Sequence, residues 1–230
     1  MAHPESTKSS YTTQLVKEDD KEDVMKLLKR TFYLDEPMNE ALGICVSEND
    51  QCPDLDNYVE ASIPEGYSVK AVAEEGKIVG VLVNGVELVQ SNEEELSKIA
   101  ANCTSSKLKK ILLYILARRE RGARLWEKFP NEKQLLDIKV AGVDHQWRNR
   151  GIMKAMIIET EKVARQKGIN LIRIDASSAY TAKSAESLGY TLAYKVAYTD
   201  IKVDGQPVVV PKPPHLYDSV YVKRIAQQST

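Results

Sequence analysis

The stretch Val143-Asp144-His145-Gln146-Trp147-Arg148-Asn149-Arg150-Gly151-Ile152 gathers groups suited to holding an anion. A loop that leads into a helix turns successive backbone N–H groups and the positive helix end toward one point. Gly151 lets a ligand's phosphates approach the backbone, and Arg148 and Arg150 add charge, so a pyrophosphate would fit. Neither a Walker A loop nor a GxGxxG fingerprint is present, which removes support for nucleotide hydrolysis and hydride transfer. The residues alone leave two readings open, an anion site and a solvated surface loop. Elsewhere, Ser177, Ser178 and Thr181 stand where hydroxyls cap a following helix. Glu36 precedes Pro37 as a helix-end carboxylate. His145 and His215 form no Ser-His-Asp order and no metal-ligand spacing, so no metal is expected. His215 follows two prolines and reads as a structural turn residue, and nothing marks Cys45 or Cys52 as an activated thiol.

The elements around these residues follow from periodicity. Residues 1–11 read as a loose polar tail and Thr12 to Val16 as a first strand. Val24, Leu27, Leu28 and Phe32 recur at helical spacing behind an acidic first turn, and that helix must stop before Pro37. A short helix is expected over Asp54 to Ile63. Tyr67 to Ala73 and Lys77 to Val83 form a hairpin across Glu74-Glu75-Gly76, and Glu93-Glu94-Glu95 a solvated helix face. Leu108, Ile111, Leu112 and Ile115 mark a longer helix whose polar side, with Arg118, Arg119, Arg121 and Arg124, reads as a solvated basic face.

Leu136, Ile138 and Val140 alternate as a half-buried strand, followed by the loop and a helix from Gly151 to about Lys167. Met153, Met156, Ile157, Thr160 and Ala164 form the apolar stripe of that helix. Leu171 to Ile174 is a strand and Thr181 to Leu188 a short helix. A long strand runs from Tyr190 to Tyr198, Asp204-Gly205 is a hairpin before Val208 to Val210, and a last strand spans Tyr217 to Lys223. The order is a β-α-β-α-β core preceded by mixed elements, and one α/β domain over 12–230 is the economical reading.

Strand, Arg148-x-x-Gly151, amphipathic helix, strand, then Ala182 to Leu188-Gly189-Tyr190 resembles the acetyl-CoA core of the GNAT acetyltransferase superfamily. Its loop is usually written Arg/Gln-x-x-Gly-x-Gly/Ala, and Met153 departs from the last position. Asp35-Glu36-Pro37-Met38-Asn39, Ser177-Ser178-Ala179-Tyr180-Thr181-Ala182 and Pro213-Pro214-His215 narrow the resemblance to insect-type arylalkylamine N-acetyltransferases. The resemblance implies a GNAT-type mixed, twisted sheet flanked by helices, with the acetyl-CoA core at about 134–190.

By the same resemblance, Arg148, Asn149, Arg150, Gly151, Ile152 and Met153 would hold the CoA pyrophosphate, mostly through backbone N–H. Asn149 stands where relatives usually carry Gly, and Asn tolerates left-handed backbone better than most residues. Val140, Ala141 and Val143 would pair with the pantetheine arm, and Lys183 would meet a CoA phosphate. Glu36 would be the general base, Ser177 and Thr181 the hydroxyls that serve the departing thiolate, with Tyr180 an alternative donor. Pro37 and Met38 would border the amine. The implied reaction is direct transfer of acetyl from acetyl-CoA to a small arylalkylamine such as dopamine, tyramine, octopamine or serotonin. The alternatives are agmatine, another polyamine or histamine as acceptor, and a non-catalytic acyl-CoA-binding module.

Composition bounds the rest. The chain has 230 residues, 32 Lys and Arg against 33 Asp and Glu, and 43% apolar residues. That near-neutral balance draws it to neither nucleic acid nor anionic lipid. The longest apolar stretch, Ile111 to Ala117, is too short to span a bilayer. An odd count of three cysteines argues against a secreted disulfide framework. A cytoplasmic monomer whose partners are acetyl-CoA and a small amine is the expectation.

Overall fold

A computed structural model describes residues 10–225, and 1–9 of the expected tail lie outside that range. The chain alternates short elements along its first half. They are β1 (Tyr11–Leu15), α1 (Lys21–Arg30), α2 (Phe32–Asp35), α3 (Pro37–Leu42), α4 (Pro53–Ser62), β2 (Val69–Ala73) and β3 (Ile78–Leu88). A helical run follows, with α5 (Glu93–Asn102), α6 (Ser106–Lys110), a π-helical stretch Ile111–Leu116, α7 (Ala117–Ala123) and α8 (Leu125–Lys128). The second half holds β4 (Gln134–Val143), α9 (Ile152–Gln166), β5 (Leu171–Ala176), α10 (Ala179–Ser187), β6 (Thr191–Ala197), β7 (Lys202–Val203), β8 (Gln206–Pro207) and β9 (Tyr217–Arg224).

Seven strands form one mixed sheet in the order β1-β2-β3-β4-β5-β9-β6, in which only β4 and β5 run parallel. That pair is joined through α9, as a parallel crossover requires. One face carries α9 and α10, whose Ile152, Met156, Ile157, Val163 and Ala185 pack on Leu136, Ile138, Ile172 and Ile174. The other face carries α1 and α4, whose Val24, Leu27, Leu28 and Val59 meet Ile78, Val81, Val83 and Val140. Burial of side chains such as Met156 and Ile157 (0% and 1% exposed) contributes roughly 1.5–3 kcal/mol each.

The sheet corrects several sequence expectations. Tyr11 belongs to β1 rather than to the tail. The helix through Phe32 breaks at Thr31 (φ −120°, ψ −79°) and a new one starts at Pro37, with proline at the first helical position, where its missing N–H costs nothing. Asp204 (φ 50°) and Gly205 (φ 77°) make the expected tight turn, but Lys202–Val203 pairs with Gln206–Pro207, and Val208 to Val210 is not a strand. Arg119 is not part of a solvated face: it is 4% exposed and ion-paired.

Bulges set which face each side chain meets. Val83 opposes Val140 while Asn84 opposes Ile138, so Lys139 is an extra residue in β4. An inserted residue shifts the alternation by one. Leu136 and Ile138 therefore face α9, Val140 faces α1, and Ala141 and Val143 return to the α9 side.

Candidate active site

The parallel pair is short. β4 and β5 align only as Leu136↔Ile172, Asp137↔Arg173 and Ile138↔Ile174. β4 then continues to Val143 against β3, and β5 to Ala176 against β9. A wedge opens between them, and the edge of β4 from Lys139 to Val143 has no ladder with β5. Backbone polar groups left this way need a partner, and an extended ligand arm can supply it as an added strand. Val140 is 1% exposed, so its side chain belongs to the core and only its backbone can serve here, whereas Ala141 and Val143 are half-buried on the α9 side.

The mouth of the wedge meets the start of α9. Gly151 caps that helix in left-handed conformation (φ 80°), and Asn149 also lies there (φ 63°). No side chain among the described residues caps α9, and its first internal bond runs from the Ala155 N–H to the Gly151 carbonyl at 3.0 Å. The N–H groups of Ile152, Met153 and Lys154 precede that bond and carry the positive end of the helix dipole. Ile152 is 2% exposed and Met153 packs against the α9-side core, so what they offer a phosphate is backbone.

The arginines of the loop are committed elsewhere. Arg148 donates to the Val143 carbonyl at 3.2 Å and pairs with Asp35, which also meets His145 Nε2 at 2.8 Å. Arg150 stacks on the Trp147 ring at 4.7 Å and donates to the Gln146 carbonyl at 3.1 Å. Asp144 anchors the loop base: it accepts from the Gln146 N–H at 3.1 Å and pairs with Arg30 and Lys77 at 2.9 and 3.2 Å. Burial opposes ionisation of Asp144, but those donors and cations outweigh it and hold its pKa below the usual value.

On the other side of the wedge, Glu36 caps α3. Its Oε2 accepts from the Asn39 N–H at 2.7 Å, whereas Oε1 is buried and accepts no hydrogen bond among the described residues. Burial pushes the Glu36 carboxyl up; the Ser177 hydroxyl, the N–H groups of Asn39 and Met38, and the charge of Arg119 pull in the opposite direction without cancelling it. Ser177 thus lies beside Glu36, although no bond of normal geometry joins the two side chains. The turn that carries Ser177 is held by Tyr198, whose hydroxyl donates to the Ser177 carbonyl at 3.0 Å, and by His215, whose Nδ1 accepts from the Ala179 N–H at 3.1 Å.

Other expected site residues sort by contact. Ser178 caps α10 by accepting from the Thr181 N–H, and the Thr181 hydroxyl lies 3.3 Å from that of Ser178, away from Glu36's own contacts. Lys183 lines a separate recess with Ala179, Glu186, Lys195 and Tyr217. Tyr180 is exposed and meets the His215 ring edge-on at 5.3 Å. Pro37 is buried at the start of α3, and Met38 packs with Ile111, Ile115 and Tyr198.

Sequence reasoning missed a charged cluster on this face. Arg119 grips Asp218 through Nε and Nη2 and reaches Asp175 at 2.8 Å; Arg173 binds Asp175 and Glu120. Tyr198 sits amid Asp218, Glu36 and Arg119, and burial first, then the two carboxylates, hold its hydroxyl neutral. A signal for Arg119 existed, since it follows the apolar Ile115 by one helical turn and continues that stripe. All three cysteines are free thiols whose pKa burial raises, Cys45 to about 12.

No protein-family model matches the chain. Among solved structures, it is similar to arylalkylamine N-acetyltransferase 2 from Aedes aegypti, 24% identical over 94% of this chain and 100% of that one, with a TM-score of 0.88. It is also similar to the Drosophila melanogaster polyamine N-acetyltransferase that catalyses formation of N-acetylagmatine, 24% identical over 94% and 100% of the two chains, at 0.81. A mosquito arylalkylamine N-acetyltransferase like 5b is 21% identical over 94% and 100%, at 0.82. At these identities the likeness speaks for architecture: the chain has the GNAT fold.

Proposed function

We propose that this chain is an enzyme that transfers acetyl from acetyl-CoA to the primary amine of a small molecule, an arylalkylamine by the sequence resemblance. The observation that carries the reading is the unpartnered, buried Oε1 of Glu36 beside the wedge. An amine is protonated near neutral pH and attacks only after losing a proton. A carboxylate whose burial raises its pKa is suited to take it. The thioester arm would lie along Val140, Ala141 and Val143, and the diphosphate would rest on the N–H groups from Asn149 to Met153. Glu36 takes one proton from the ammonium, and the freed amine nitrogen bonds to the thioester carbonyl carbon. As the C–S bond breaks, the nitrogen's second proton passes to the departing sulfur, which leaves the amide and CoA thiol. Ser177, next to Glu36, is the hydroxyl best placed to donate to that sulfur; Thr181 would act only if its contact with Ser178 opened. Direct attack fits three thiols that burial keeps protonated. Arg148 would contribute by fixing the loop through Asp35 rather than by gripping phosphate.

The second reading, a polyamine or amino-guanidine as acceptor, gains from the excess of carboxylates on the Glu36 side. A cytoplasmic monomer remains part of the proposal. A thiol-release assay with acetyl-CoA across arylalkylamines, polyamines, histamine and a lysine peptide tests it. Release with amines and its loss in Glu36→Gln supports the enzyme; acetyl-CoA binding with no release for any amine would leave the binding-module reading.

A further inference from the structure

Tyr11 opens β1, an edge strand separated from β4 by β2 and β3. Its ring packs on the core beneath α9, and its hydroxyl donates to the Arg150 carbonyl at 3.3 Å. A Cβ built on Gly151 would lie 3.8 Å from that same hydroxyl, so the phenol touches the cap of α9. The helix start rests on β3. Gly80 makes room for it, since a Cβ there would lie 2.8 Å from Ile152 Cγ2. The first turn of α9 is thus flanked by β1 with Tyr11 on one side and by the β4–β5 wedge on the other.

Peptide geometry connects this bond to the anion cradle. The Arg150 carbonyl and the Gly151 N–H belong to one trans peptide and point in opposite directions. With the carbonyl drawn toward β1, the Gly151 N–H turns to the opposite side, where the wedge opens. Glycine populates both signs of φ about equally, so Gly151 (φ 80°) does little by itself to keep that peptide from inverting. The Arg150 guanidinium is held inside the loop, on the Trp147 ring and the Gln146 carbonyl, and so moves with it. The Tyr11 bond ties the loop backbone to the sheet from outside. A run of N–H groups serves an anion only while the peptides keep one sense.

We propose that Tyr11 is a positioning residue of the diphosphate site: its hydroxyl holds the Arg150–Gly151 peptide so that the Gly151 N–H joins those of Ile152 and Met153 in facing acetyl-CoA. The inference rests on the acetyl-CoA reading above and assigns part of the affinity to a strand 139 residues away from the loop. Glu36 lies across the wedge, so the proton transfer does not depend on Tyr11.

The test is Tyr11→Phe, which keeps the ring and removes the hydroxyl. Thr13→Val serves as control, because Thr13 lies on the same strand and donates to Glu159 of α9 at 3.3 Å, beyond the first turn. By titration calorimetry the Kd for CoA should rise about three- to tenfold in Tyr11→Phe, the worth of one ordinary hydrogen bond. The KM for acetyl-CoA should follow, with kcat and the amine KM within about twofold of wild type. Thr13→Val should bind CoA as the wild type does, and thermal melts would show all three proteins folded. An unchanged Kd in Tyr11→Phe, an equal loss in Thr13→Val, or a parallel fall in kcat overturns the assignment and leaves the acetyl-CoA reading standing. Wild-type protein that binds no CoA at millimolar concentration removes both.

Discussion

Replacing Asp137 by Asn should make the protein more stable at neutral and alkaline pH. The carboxyl has an ordinary value near 3.8 and is raised to about 7 by burial and by the adjacent Asp175. The sign follows from proton counting. Between these values the native chain binds more proton than the unfolded chain, so stability falls as pH rises through that window, and the loss is complete above pH 7. The rise from 3.8 to about 7 sets a ceiling of about 4 kcal/mol. An Asn amide in the same place has its own unmet hydrogen bonds, which take back about 1–3 kcal/mol. A net gain of about 2 kcal/mol corresponds to roughly 4–8 °C in a domain of this size. Thermal melts of both proteins from pH 4 to pH 9 should show curves that coincide or cross near pH 4 and separate toward pH 8. Equal melting temperatures at pH 8, or a gain as large at pH 4 as at pH 8, would refute the buried, uncompensated charge.

Glu36→Gln should lower kcat by about two to four orders of magnitude while leaving acetyl-CoA binding intact, as single-turnover and thermal-shift measurements would show. Because burial raises the pKa of Glu36, wild-type kcat/KM should climb with pH from above the ordinary glutamate range, and the variant should lose that limb. Acetyl-CoA alone should raise the melting temperature by binding linkage, and no shift at millimolar concentration would count against the α9 cradle. Gly122→Ala would place a Cβ 2.0 Å from the Tyr194 ring; a loss of about 1–3 kcal/mol in chemical denaturation is expected, largely recovered when Tyr194 is also made Ala. Arg119→Met should cost about 3–5 kcal/mol, since it strands Asp218 at 0% exposure; a loss below 1 kcal/mol would show the pair to be dispensable.

Local chemistry explains what could be read from the chain without coordinates. β4, the loop and α9 were legible because an alternating strand, an Arg-rich turn and an apolar stripe at helical spacing each carry their own signal. The left-handed Asn149 followed from what Asn tolerates. Features set by distant partners were not legible. Arg119 read as surface because its neighbours Arg118 and Arg121 are charged; its buried state depends on Asp175 and Asp218, more than fifty residues away. The Tyr190 to Tyr198 alternation promised one inward face, but Ala193 is an extra residue in β6, so Leu192 is 46% exposed while Tyr198 is buried. Arg148 and Arg150 announced charge at the loop, yet Asp35 and Trp147 decide where their side chains rest. Glu36 could be seen as a helix cap from Pro37 alone; its unpartnered oxygen required the packed fold.

The extra residue at Lys139 makes length, rather than composition, the constraint on β4. Deleting that position would rotate the segment before or after it by half a turn, exchanging inside for outside at Ile138 and its predecessors or at Val140 and its successors. Conservative changes along the strand should therefore be absorbed far more readily than loss of a single codon. Shortening by one residue in the connection between β3 and α5, where no register is shared, should be borne with little harm.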